Sequence, residues 1–169
     1  MAYNTRTSRS RGRGFENQVV KRLTAMGFKS KKILLSGSHL AKPYDVIVSP
    51  FRLKIEAKRT MKDHITFMAK WLDKVSDKLI IVFAVGKYSG GKPVEMWALS
   101  PDAEVRTWPI IEMKKAKKVE KETILKAPFT LMYNGRQFIV QAFEGYMKSG
   151  RFSGPKENTD GTGTEPVRT

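Results

Sequence analysis

The stretch YDVIVSPFRLKIEAK, residues 44–58, sets the fold class. Tyr44 to Val48 is a short apolar, β-branched run closed by Ser49-Pro50, and it reads as a strand. Arg52 to Lys58 then alternates, with Leu53, Ile55 and Ala57 on one face and Arg52, Lys54, Glu56 and Lys58 on the other. That period of two belongs to a strand with one face in the core and charges on its open face. Consecutive strands usually lie side by side, so these two are expected to pair.

On the N-terminal side, Phe15, Val19, Leu23 and Met26 recur at spacings of four, four and three, predicting a helix that ends at Gly27, with Phe28 closing it. Lys31 to Ser36 reads as a further short strand, followed by a loop through Ser36-Gly37-Ser38 and Ala41-Lys42-Pro43. On the C-terminal side, Ile65, Met68, Ala69, Leu72 and Val75 have helical spacing and predict a second helix from Asp63 to Val75. Leu79 to Val85 is almost continuously apolar, as a central strand covered on both faces should be. Tyr88-Ser89-Gly90-Gly91 turns the chain into another strand, Val94 to Leu99. Lys114 to Lys126 reads as either a charged helix or a solvated loop. Ile139, Ala142, Phe143, Tyr146 and Met147 fit a helix, although Asn134-Gly135 could equally turn a hairpin. The order predicts an α/β fold, a central mixed β-sheet flanked by helices. The expected organisation is a mobile basic arm over 1–14, one domain over 15–148, and a polar, glycine-rich disordered tail over 149–169; there is no internal repeat.

Composition narrows the function. The 169 residues hold 32 Lys and Arg against 16 Asp and Glu, a net charge of +16 and a pI near 10.1. Such self-repulsion is relieved by a polyanion, and nucleic acid is the leading candidate because each neutralised phosphate releases counterions. The absence of cysteine excludes disulfides, zinc ribbons and thiol chemistry, and His39 and His64 are too few for a histidine-rich metal site. No apolar run reaches the roughly 20 residues of a membrane span, and the polar, Arg-rich N-terminus lacks the apolar stretch of a secretory signal. A cytoplasmic protein acting on nucleoid DNA is expected, in a host cytoplasm if the origin is viral. Arg6, Arg9, Arg11 and Arg13, separated by small polar residues and glycine, are expected to contact phosphates.

The acids then take positions that suggest chemistry. Glu16 lies in the first turn of the predicted helix, Asp45 near the start of one strand, and Glu56 and Lys58 on the next. Glu56 and Lys58, two apart on a strand, stand about 6.6 Å apart and point the same way. If the strands pair, Asp45 and Glu56 converge, and with the main-chain carbonyl of Ala57 they form a hard oxygen site for Mg²⁺, with Mn²⁺ able to substitute. Glu16 could reach the same ion directly or through water. Such an ion polarises a phosphodiester and lowers the pKa of an attacking water, while Lys58 orients that water or neutralises the phosphate. Metal-assisted hydrolysis of a nucleic acid backbone is the chemistry this pattern points to.

The order Glu16, Asp45, Glu56-Ala57-Lys58 resembles the acidic residues and lysine of the PD-(D/E)xK nuclease superfamily, and Ser36-Gly37-Ser38 narrows it. Together with Gly14-Phe15-Glu16, Gly27-Phe28, Asp45-Val46-Ile47 and Ile55-Glu56-Ala57-Lys58, the pattern is similar to the archaeal-type Holliday junction resolvases, the Hjc family. The similarity covers roughly the first 60 residues. It implies a restriction-endonuclease-like domain and a homodimeric, Mg²⁺-dependent endonuclease that resolves branched double-stranded DNA, the four-way junction, by paired symmetric nicks. It implies metal-ligand roles for Asp45 and Glu56, catalytic roles for Glu16 and Lys58, and an assisting serine, either Ser36 or Ser38. Tyr44 stands where the family has proline before the aspartate, a position with no chemical task.

Other readings compete. Glu112-Met113-Lys114, with Pro101-Asp102 before it, is a second copy of the motif, but it runs into Lys115, Lys117 and Lys118 like a solvated basic face. Glu16 alone could be a favourable charge at a helix start, and Lys58 alone a surface residue. A repair, flap or restriction-type nuclease, or a non-catalytic nucleic-acid binder on the same scaffold, would share these features.

Overall fold

The computed structural model describes residues 5–33, 44–87, 94–102 and 108–150, with side chains from Gly14 onward. Helix α1 (Thr5–Ala25) leads into β1 (Lys29–Lys32), β2 (Val46–Ser49), β3 (Leu53–Thr60), β4 (His64–Met68) and α2 (Ala69–Lys74). Then come β5 (Leu79–Val85), β6 (Trp97–Pro101), β7 (Ile110–Met113), β8 (Ala116–Glu120), α3 (Lys121–Leu125), β9 (Phe129–Tyr133), β10 (Arg136–Ala142) and α4 (Phe143–Ser149). Eight strands form one mixed sheet in the order β1-β2-β3-β5-β6-β10-β9-β7, and β4 pairs with β8 in a separate ribbon. Strands β2 and β3 are antiparallel, as two strands joined by a tight connection must be, whereas β3 and β5 are parallel through the β4–α2 crossover. The expected α/β class, a central mixed sheet flanked by helices, is what the chain adopts.

The central strand shows why the sheet has a core on each side. Along β5, Ile80, Val82 and Ala84 pack beneath α1 and α4 with Phe15, Val19, Leu23, Val46, Ile55, Phe143 and Tyr146. Ile81, Phe83 and Val85 face the other way, against Ile65, Phe67, Leu72, Val119, Ile124 and Phe138. The layers are therefore α1 and α4, the sheet, and then the β4–β8 ribbon with α2 and α3. Phe83 is fully buried, edge-on to Phe67 with ring centroids at 5.4 Å and stacked on Trp97 at 6.2 Å. Phe83→Ala should cost about 3–5 kcal/mol, read as a lower denaturant midpoint with an unchanged slope.

Two of the positive-φ glycines sit at turns that the sequence marks. Gly27, at φ +90°, ends α1 while the Phe28 N–H donates back to the Leu23 carbonyl at 2.9 Å, the closure expected from the sequence. Asn134 and Gly135, at φ 51° and 73°, make the two-residue turn between β9 and β10, so the hairpin alternative holds there. The helix expected around Ile139 to Met147 is in fact the end of β10 followed by α4.

Other expectations are corrected. Residues 63–75 are not one helix: Ile65 and Phe67 are buried alternately in β4, whose partner β8 lies more than 50 residues on, and only Ala69–Lys74 is helical. The 114–126 segment is neither one helix nor a loop, but β8 followed by α3. Helix α1 starts at Thr5, so the backbone assigned to a separate arm is helical through Arg6, Arg9, Arg11 and Arg13. Extending an existing helix needs no new nucleus, and arginine is a good helix former. Strand boundaries also move: β1 ends at Lys32 and β6 starts at Trp97. Residues 151–169 of the expected tail lie outside the described residues. No helix among the described residues is long and apolar enough to cross a membrane.

Candidate functional site

The β2–β3 register pairs Val46 with Ile55, which sets Asp45 beside the Glu56–Ala57 segment. The Asp45 main chain is held on both sides: its N–H donates to the Ile55 carbonyl at 2.9 Å, and its carbonyl accepts from the Ile33 N–H at 2.8 Å. Its carboxylate is fixed as well, because Oδ2 accepts from the Ala57 N–H at 2.8 Å. The N–H and C=O of a strand residue point to the same side, so the Ala57 carbonyl is turned toward Asp45 as well.

Glu56 sits on the opposite face from Ile55, which is buried beneath α1. Its side chain is 13% exposed and lies between two lysines: Lys58 Nζ is 3.3 Å from Oε1, and Lys74 Nζ is 3.0 Å from each oxygen. The Lys74 hydrogen bond is aligned with Oε1, and Oε2 is buried with no aligned donor. Lys58 is itself held in place, with Nζ 5.2 Å above the centre of the Trp71 ring.

The structure therefore brings Asp45, Glu56, Ala57 and Lys58 into one neighbourhood. Glu16 is not gathered tightly with them: its carboxylate is 3.8 Å from Lys32 Nζ on β1, two strands from Glu56. Among the described residues, the group of ligand-type side chains with all donor atoms within 4.8 Å of one another is Asp63, His64 and Glu120, not Glu16, Asp45 and Glu56. In that group, the His64 ring bonded to Asp63 at 3.1 Å holds the aspartate carboxyl below its ordinary range. Ser36, Ser38 and His39 lie outside the described residues, as do the side chains of Arg6, Arg9, Arg11 and Arg13.

The second motif copy is separated by the sheet order. Asp102 follows β6 and Glu112 lies on β7, three strand spacings away, or about 14 Å. Glu112 and Lys114 are exposed at the far edge, so this pair cannot share an ion with Asp102. No family model and no curated protein matches this sequence.

The Asp45–Glu56–Ala57 group offers the hard oxygen donors that a divalent cation takes, two carboxylates and a main-chain carbonyl, with both Glu56 oxygens held by Lys74 at 3.0 Å. Sequence reasoning missed Lys74. It lies in the last turn of a short helix in a lysine-rich chain, and only the crossover brings it to Glu56.

Proposed function

We propose that this chain is a structure-selective DNA endonuclease on a restriction-endonuclease-like domain, hydrolysing phosphodiesters with Mg²⁺ or Mn²⁺ and resolving four-way junctions as a homodimer. The observation that carries the reading is Asp45 and Glu56 on paired strands, one carboxylate fixed by the Ala57 amide and the other set between Lys58 and Lys74. Asp45, Glu56 and the Ala57 carbonyl would hold the ion, with Glu16 acting through water from the β1 side. Bound there, the ion supplies Lewis-acid stabilisation and a more acidic water. The chain's own groups do the rest. Asp45 is oriented before substrate arrives, Glu56 offers its carboxylate once Lys74 moves off it, and the Lys58 ammonium faces the phosphate and takes part of its developing negative charge. The net charge of +16 draws DNA to the surface. A junction is nearly two-fold symmetric, so two opposed cuts call for two copies of the site.

The experiment compares a synthetic four-way junction with a linear duplex of the same sequence, with metal omitted and then restored. Paired symmetric nicks in the junction alone, dependent on Mg²⁺ or Mn²⁺, are expected. Equal cutting of the duplex would replace junction resolution with a repair or restriction-type activity. No cutting under either metal would leave a nucleic-acid binder.

A further inference from the structure

Beside Glu56, where β3 ends and β4 folds back over the sheet, lies a pocket of about 230 Å³. Its lining includes Lys58, Thr60, Lys62, His64, Thr66 and Trp71, with Arg59 contributing from the strand between Lys58 and Thr60. We infer that this pocket is a phosphodiester-binding subsite, which holds the backbone of a nucleic acid strand next to the point of cleavage. That it serves cleavage rests on the nuclease reading, whereas the anion binding stands without it.

Charge selects the class of ligand. Lys58 and Lys62 bring permanent cations to the lining and no carboxylate lines it, while Arg59, in register with Ala84, sends its side chain to the α1 face. The nearest acids are turned to other partners: Glu56 to Lys58 and Lys74, Asp63 to the His64 ring, and Glu120 to Lys118. A cationic ligand would be repelled, and an anion would be drawn in.

The cations are positioned in different ways. Lys58 is fixed between the Glu56 carboxylate and the Trp71 face. The Arg59 guanidinium is engaged elsewhere, donating to the Gly86 carbonyl at 2.8 Å. Lys62 is exposed and makes no ion pair among the described residues, so its charge is available at the rim. Lysine and arginine beside hydroxyl donors are the usual phosphate partners in protein–DNA contacts. The volume of about 230 Å³ admits a phosphate group. Lys58 belongs both to this pocket and to the Glu56 site, so a phosphate seated here places the adjoining backbone against the carboxylates.

The test titrates the full-length protein with a short oligothymidylate in EDTA, following the indole N–H resonance of Trp71, which is identified by its loss in Trp71→Phe. With no metal present, the result does not depend on cleavage. The Trp71 resonance is expected to shift saturably. Lys62→Ala should raise Kd at least about threefold and lower the slope of log K against log salt by about 0.7, one contact's worth on a single strand. Lys148→Ala removes the same charge from α4, on the other face of the sheet, and should leave the Trp71 titration unchanged. A Trp71 resonance unmoved at saturation, or Lys62→Ala indistinguishable from Lys148→Ala, would overturn the subsite. Binding here by a protein that fails to cut junctions would keep the subsite and remove the nuclease reading.

Discussion

Glu56→Gln and Asp45→Asn should each lower metal-dependent junction cleavage by a factor on the order of 10³, while junction binding persists. The choice of substitution follows from the contacts. Asp45→Ala would strip the Ala57 N–H of its acceptor, at about 1–3 kcal/mol for an unsatisfied buried donor, and would mix folding with chemistry. Asparagine keeps an oxygen for that amide and removes only the charge. Glutamine likewise keeps the shape of Glu56, though Lys58 and Lys74 then lose the anion between them. Melting curves of both variants, measured beside single-turnover cleavage, separate the two effects. Full activity in both variants would end the assignment of the site.

The second large effect concerns binding. Replacing Arg6, Arg9, Arg11 and Arg13 together with Gln should lower junction affinity by one to two orders of magnitude at moderate salt. The salt slope should fall by about 3.6, from four contacts at about 0.9 each on duplex DNA. The continuous α1 gives this a geometry that a loose arm would not. Thr5 stands about 16 Å along the helix axis from Glu16, so the basic segment reaches duplex beyond the cleavage point. Gln is a good helix former, so the backbone is retained. An unaltered salt slope, measured by fluorescence anisotropy, would remove these arginines from the DNA contact.

What the sequence made legible is what local patterning determines. The apolar run at Leu79–Val85 announced a strand buried on both faces, and the alternation at Leu53–Lys58 identified which side chains leave the core. The Asp45–Glu56 juxtaposition followed, because neighbouring strands paired as consecutive strands usually do. The β4 strand was hidden because Ile65, Met68, Leu72 and Val75 happen to fall at helical spacing across a strand–helix junction. Its true partner, β8, exposes every residue but Val119 and so carries almost no apolar signal. Lys74 and the basic pocket were illegible for a related reason. They are assembled by the crossover between β3 and β5, and no spacing along the chain encodes that meeting. The Glu16 position shows the limit from the other side: its place on α1 was readable, but its pairing with Lys32 was not.

The most direct measurement of the central claim is an anomalous-scattering map from crystals of the protein grown with Mn²⁺. The account predicts a peak within about 2.5 Å of the Asp45 and Glu56 carboxylates and the Ala57 carbonyl, with Lys74 drawn away from Glu56 Oε2. A peak only at Asp63, His64 and Glu120, with Glu56 still closed by its two lysines, would contradict it.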